Sequence, residues 1–321
     1  MRALLLSSCL LLLISCAARD PATALSESKA PARVPVQVNF EREISGRILS
    51  YDLQHPAGVA VDAQGNLFVS DGGNHRLIKF DNQFEPVRDY GGYGGGIGKF
   101  IDPAKMVVDR GLNLYVLDVG NRRIVHLDAR LNFVEEIFPE DDPDEIISNR
   151  GILSGLQISP LGEITVADYD NSRLIKMDNF HRFSRYIGGF GYGRGALLNP
   201  KDLAMGDDGR TYVADAGNGR VAIFDDYGNY LGDLGADRLK MPVALTVSKY
   251  GTIWVVDREE PGLYAFAPNG RMLMHLDNAG IKEYSFAGIE AMTVSPDGRL
   301  YFADGGRNRI LIFDIAYEGS R

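Results

Sequence analysis

The sequence is poor in exactly the residues that would point to the simplest identities. It has only two cysteines, Cys9 and Cys16, both within the first sixteen residues. The body of the chain therefore has no disulfide framework and no thiolate metal site, and its stability must come from burial and sheet pairing. Basic residues are the minority charge: the net charge is −9 and the isoelectric point about 5.1. No Lys/Arg cluster stands out, which argues against a nucleic-acid reader and against a polybasic contact with anionic lipid. There are five histidines, His55, His75, His126, His181 and His275, with no HxH or HExxH pairing. No serine sits in a nucleophile-elbow string. No stretch of the body keeps a helical hydrophobic period. Glycine, at 37 of 321 residues, is instead abundant, which suits a chain with many tight turns.

The N-terminus reads MRALLLSSCLLLLISC, with Arg2 ahead of an apolar run from Ala3 to Ile14. That run is too short for a comfortable membrane span and has signal-peptide shape. Its end, Leu13-Ile14-Ser15-Cys16, resembles the bacterial lipobox. The resemblance implies a signal peptide over 1–15, lipidation of Cys16, and stable anchoring through several acyl chains, palmitate among them. Ala17, rather than an aspartate, follows the cysteine, which by the sorting rule of enteric bacteria implies the outer membrane. Residues 16–35 are rich in Ala, Pro and Ser and read as the lipidated cysteine and a flexible tether. The remainder, 36–321, reads as one domain.

Within that domain one phrase recurs: apolar strand, Gly turn, apolar strand ending in Asp, short turn, Arg, apolar strand. The strand-ending residues are Asp71, Asp118, Asp168, Asp215, Asp257 and Asp304, at intervals of 47, 50, 47, 42 and 47 residues. Six units of this length fit four short strands each, the size of a propeller blade. The strands are rich in β-branched and aromatic residues, and several, such as RLIKF and RILIF, are almost continuously apolar. That is the expectation for sheets packed on both faces.

GNLFVSDGGNHR (65–76), LNLYVLDVGNRR (112–123), GEITVADYDNSR (162–173) and GRTYVADAGNGR (209–220) resemble the NHL repeat. GRLYFADGGRNR (298–309) keeps Asp304 and Arg309 with Arg307 at the asparagine position. GTIWVVDREEPG (251–262) keeps only Asp257. The resemblance, over about residues 39–316, implies an all-β, six-bladed propeller. It says little about activity, because one fold carries many functions.

Ring closure is also readable. The fourth strands carry apolar pairs four apart, Phe133/Ile137, Phe183/Ile187, Tyr230/Leu234 and Met272/Leu276, whereas the sixth unit ends soon after its third strand (309–314). Phe40 and Ile44 have the same spacing, so residues 38–46 are expected to complete the last blade and remove an open edge.

The recurring Asp residues and Arg76, Arg123, Arg173, Arg220 and Arg309 are read as structural. A residue repeated in every blade serves a need of every blade, here pairing and capping strand-end amides between neighbouring sheets. Binding residues are sought where blades differ. Lys105, Lys201, Asp202 and Glu290 break a run of small neutral residues at the start of the innermost strands. Strict alternation forbids Lys201 and Asp202 from both facing the channel. The alternatives are a small polar ligand at the channel mouth or mutual neutralisation around solvent. Two long Gly-rich loops, 91–103 and 188–200, carry Tyr93, Phe190, Tyr192 and Arg194, either as exposed interface anchors or as covers folded over the blade edges. The acidic loop 139–151 lacks EF-hand spacing and reads as solvated.

Together these features favour a non-catalytic binding or scaffold module of the cell envelope. It would present its loop-rich rim to another protein or a glycan, without cofactor or metal, and meet the membrane only through its lipid. The runner-up is a metal-dependent hydrolase or lyase, lactonase-like or amidating-lyase-like, with its site in the central channel.

Overall fold

A computed structural model describes residues 33–139, 151–191, 193–277 and 284–319. Cys16, the tether up to residue 32, Tyr192 and nearly all of the acidic loop lie outside these. Alternating apolar segments and Gly turns give six four-stranded antiparallel sheets. The first blade is Pro56–Val61, Leu67–Asp71, Arg76–Phe80 and Pro86–Gly91. The second is Pro103–Val108, Leu114–Asp118, Arg123–Leu127 and Phe133–Ile137. The third is Leu153–Ile158, Ile164–Asp168, Arg173–Met177 and Phe183–Gly188. The fourth is Pro200–Met205, Thr211–Asp215, Arg220–Phe224 and Tyr230–Leu234. The fifth is Pro242–Val247, Ile253–Asp257, Gly262–Phe266 and Met272–Asp277. In each blade the first strand is innermost, and it touches the first strand of the next blade all the way round, the sixth meeting the first.

The sixth blade consists of Ile289–Val294, Arg299–Asp304 and Arg309–Tyr317, completed by the N-terminal strand Pro35–Ser45. That strand pairs antiparallel with Arg309–Tyr317, placing Phe40 opposite Phe313 and Ile44 opposite Ile310. The sequence pattern thus located the closing strand. The third strand of this blade runs to Tyr317, beyond the expected 314, and pairing reaches back to Pro35. Arg309 and Arg299 add ion pairs across the seam, to Glu43 at 2.9 Å and Glu41 at 2.8 Å. Such partly exposed pairs contribute little beside the sheet pairing itself.

The core is six cores, one in each seam between blades. Val59, Val69 and Ile78 of the first blade pack on Tyr301, Ile310 and Ile312 of the sixth. Phe68 and Leu77 pack from the other face of the first blade on Met106 and Val116 of the second. Analogous clusters fill the remaining four seams. Because both faces of each sheet are buried, the second strands of the first five blades are buried at every position. This explains their continuous apolar runs.

One irregularity repeats in all six blades. The pairing of first and second strands slips at the mouth end, for example between Pro56 and Gly58, Pro200 and Asp202, and Ile289 and Ala291. Each slip is a β-bulge, which bends the strand and re-aims the extra side chain. The bulged residues include Ser154, Lys201, Val243 and Glu290.

Candidate binding face and channel mouth

The repeated Asp and Arg form a clamp within every blade but the fifth. Asp71 accepts the Gln54 amide at 2.8 Å through one oxygen, and Arg76 Nε at 2.8 Å and Asn74 Nδ2 at 2.9 Å through the other. Asp118 does the same with Ile101, Arg123 and Asn121. Asp215 repeats it with Leu198, Arg220 and Asn218. Arg173 and Arg309 pair with Asp168 and Asp304 at 3.1 and 2.8 Å. The side-chain pairing is internal to a blade rather than between neighbouring sheets, because Asp and Arg face each other across one hairpin. The remaining guanidinium donors reach a carboxylate on the fourth strand, Asp89, Glu136 or Asp233, and the connection entering the blade. Arg76 holds the Ile48 and Tyr51 carbonyls, Arg123 those of Gly95, Gly96 and Lys99, and Arg220 that of Ala196. Charge-assisted bonds of this kind pin loops that have no ladder of their own.

Those pinned loops form one rim. Tyr93 is 71% exposed and Phe190 81% exposed, so neither folds back over a blade edge. Tyr93 stands edge-on to His75 at 5.1 Å, and His75 Nδ1 in turn accepts the Asp102 amide at 3.1 Å. Arg194 and Phe190 line a cleft with Tyr230 beside the third and fourth blades. The opposite rim, which the sequence reading passed over, also exposes Leu161, Phe180 and Tyr227. They sit at hairpin tips, where a propensity-based reading expects only turn residues.

At the centre of the loop-bearing rim, the channel mouth is a cavity of about 130 Å³. Ala57, Ala104, Ser154, Val243 and Ala291 supply small walls, and Lys105, Lys201, Asp202, Arg258 and Glu290 supply the charge. Lys201 and Asp202 therefore both face the mouth, against the expectation from strict alternation. The bulge between Pro200 and Asp202 is the reason. Lys105 and Asp202 meet across the channel at 2.7 Å and are both buried. Asp202 also accepts the amides of Leu203 at 2.8 Å and Leu245 at 3.0 Å. Burial pushes the Asp202 carboxyl up, while the Lys105 ammonium beside it pulls the other way. This pair forms the floor of the mouth. A second cavity of about 270 Å³ runs beyond it towards the opposite rim and is lined mainly by Val, Leu, Ile and Met.

Arg258 is the residue that sequence reasoning missed. It follows Asp257 in the one blade without the repeated Arg, and its Nη2 donates to Glu290 at 3.0 Å. The irregular REEPG string was the available signal. Lys201 Nζ lies 4.1 Å from the centre of the Tyr169 ring. Burial, and then the positive Arg258, hold its ammonium below the usual lysine range. His126 and His181 flank one carboxylate, with Nδ1 at 3.0 and 3.7 Å from Glu135, and His126 also stacks on Tyr115; elsewhere His275 stacks on Tyr264 and the His55 amide donates to Asn308. Among the described residues, no three His, Cys, Asp or Glu side chains converge as a metal site would require.

The NHL-repeat family model matches residues 53–80 and 197–224, in the first and fourth blades. The chain is thus a six-bladed β-propeller with two segments that match the NHL repeat. The protein brain tumor of Drosophila melanogaster is 30% identical over 122 residues, 37% of this chain but only 12% of that protein's length. Among solved structures, catalytically inactive virginiamycin B lyase from Staphylococcus aureus with quinupristin superposes with a TM-score of 0.62 at 13% identity, over 87% of this chain and 88% of that one. A protein of unknown function from Bacteroides thetaiotaomicron gives 0.66 at 12% identity, over 87% and 76%. At such identities the likeness is one of fold.

Proposed function

We propose that this protein is a non-catalytic binding module of the cell envelope, anchored through Cys16 at the outer membrane. It presents its loop-rich rim to a protein or glycan partner. One observation carries the reading: Tyr93 and Phe190 stand exposed on loops whose carbonyls are held from beneath by Arg123 and Arg220. Rigid aromatic anchors lose little freedom on binding, which is what a recognition surface needs. The test is a photo-crosslinking side chain placed at Phe190 or, on the opposite rim, at Tyr227, in the native envelope. A product from Phe190 that is absent from Tyr227, and lost when Tyr93 and Tyr192 are replaced by Ala, supports the reading. Equal crosslinking from both rims, or none from Phe190, overturns it. Palmitate labelling that disappears in Cys16→Ser checks the anchor.

The second reading is a metal-dependent hydrolase or lyase in the channel. Its support is the fold likeness to virginiamycin B lyase together with the charged mouth. A stoichiometric, tightly held metal in the purified protein would favour it over the binding module.

A further inference from the structure

We propose that the channel mouth is a binding site for a small carboxylate, held between Lys201 and Arg258. Three cations and two carboxylates line the cavity, which leaves one positive charge over. Four of the five are already matched, Lys105 with Asp202 at 2.7 Å and Arg258 with Glu290 at 3.0 Å. The charge left over is that of Lys201, which has no carboxylate partner among the described residues. Glu290 and, less strongly, Asp170 also favour its charge, but Glu290 is already paired with Arg258 and Asp170 accepts the Ile152 amide at 2.9 Å.

Two further observations point to an acceptor that belongs between these cations. Arg258 Nε is buried with no hydrogen-bond acceptor, although Nη2 is used. A buried donor left unmade is costly, and a guanidinium edge suits a planar carboxylate. Lys201 is aimed at the mouth by a bulge, a device that re-aims one side chain at the cost of local pairing. Its ammonium is destabilised by burial and by Arg258, so an anion there would relieve both effects.

The cavity also selects among anions. Glu290 and Asp202 repel a second negative charge, which disfavours sulfate and phosphate dianions. A volume of about 130 Å³ with Ala, Ser and Val walls takes a carboxylate bearing a few carbons. The Lys105–Asp202 floor stops anything longer from threading the channel. The same group can be a free organic acid or the terminus of a peptide that enters end-on. The site sits on the rim assigned to the partner, yet titration of the mouth and crosslinking of the loops fail independently.

The test is calorimetric titration of the full chain with propionate, propionamide, sulfate, and a tripeptide with a free or an amidated C-terminus. Saturable binding of propionate with a Kd of about 1 mM or tighter is expected, with none for the amide and weaker binding of sulfate. Lys201→Met should weaken propionate at least about tenfold, and Lys201→Arg should retain most of it. Binding of the free-terminus tripeptide but not its amide identifies a polypeptide end as the source, and binding of propionate alone identifies a free acid. Should Lys201→Met fold poorly, Glu290→Gln serves instead, and it should tighten propionate and raise the relative affinity for sulfate. The proposal falls if propionamide matches propionate, if sulfate binds tighter than propionate to the wild type, if Lys201→Met or Glu290→Gln leaves affinity unchanged, or if no carboxylate saturates.

Discussion

The second and fifth blades solve one problem in two ways. Each buries a carboxylate completely at the end of its second strand. Asp118 shares its charge with Arg123, and that arginine's other donors reach the Gly95, Gly96 and Lys99 carbonyls and Glu136. Asp257 has no arginine. It accepts four backbone amides, from Lys240, Met241, Glu259 and Glu260, at 2.8 to 3.0 Å. The connections entering the two blades account for the difference. Residues 92–102 form a long excursion whose carbonyls need a partner, whereas 235–241 are short enough to bond to themselves and to Asp257. The arginine is thus a loop holder. The aspartate serves the blade, and any sufficient set of donors will satisfy it. Freed from that duty, the fifth blade places Arg258 at the channel mouth.

This contrast can be attacked experimentally. Arg123→Ala should cost about 3–5 kcal/mol, since it removes the counter-charge of a completely buried carboxylate, leaves Glu136 unpaired and releases three carbonyls, although Asp118 keeps Ile101 and Asn121 as donors. Chemical denaturation reads the loss, and a value under about 1 kcal/mol would show that the loop holds itself. Lys105→Met should cost somewhat less, about 3 kcal/mol, because Asp202 keeps two amides and can take a proton. The sign follows from its raised pKa: the penalty is full above that pKa and fades as pH falls through it, so acid should narrow the gap to wild type. The double variant Lys105→Met with Asp202→Leu should recover only part of the stability, because the Leu203 and Leu245 amides lose their acceptor, and a double-mutant cycle measures the coupling. Grafting the missing arginine onto the fifth blade, Gly262→Arg, should destabilise by about 1–3 kcal/mol rather than help. A β-carbon there meets His275 Nε2 at 3.0 Å and the Leu276 carbonyl at 3.1 Å, and no long loop waits for the guanidinium. Tyr93→Ala with Phe190→Ala should shift stability by no more than about 0.5 kcal/mol, as befits exposed anchors that support no packing. A larger loss in thermal melts would reassign these rings to the fold.

Much of the ring was legible beforehand, because it rests on local periodicity. The even Asp spacing marks the blades, and the one short interval, from Asp215 to Asp257, coincides with the one blade lacking the arginine. The spacing of Phe40 and Ile44 located the seam, since a closing strand must present the same apolar pair as its counterparts. The mouth was only half legible. Departures from small residues singled out Lys105, Lys201, Asp202 and Glu290. A period of two then kept Lys201 and Asp202 from facing the mouth together, because a bulge appears only once two strands are paired. Arg258 was obscured by alignment to an arginine that its blade does not have. Leu161, Phe180 and Tyr227 passed as ordinary residues, because hairpin tips carry no signal of which rim they join.

The sequence alone determined the number of blades, the order of strands and the strand that closes the ring. All three follow from apolar spacing and turn chemistry within a few dozen residues. Tertiary structure decided which charges are neutralised. Lys105 and Asp202 are 97 residues apart and meet only because the ring brings the second and fourth blades to one axis. Lys201, next to Asp202 in the chain, is left without that match. Electrostatic pairing depends on distance through space, and only closure of the propeller sets those distances.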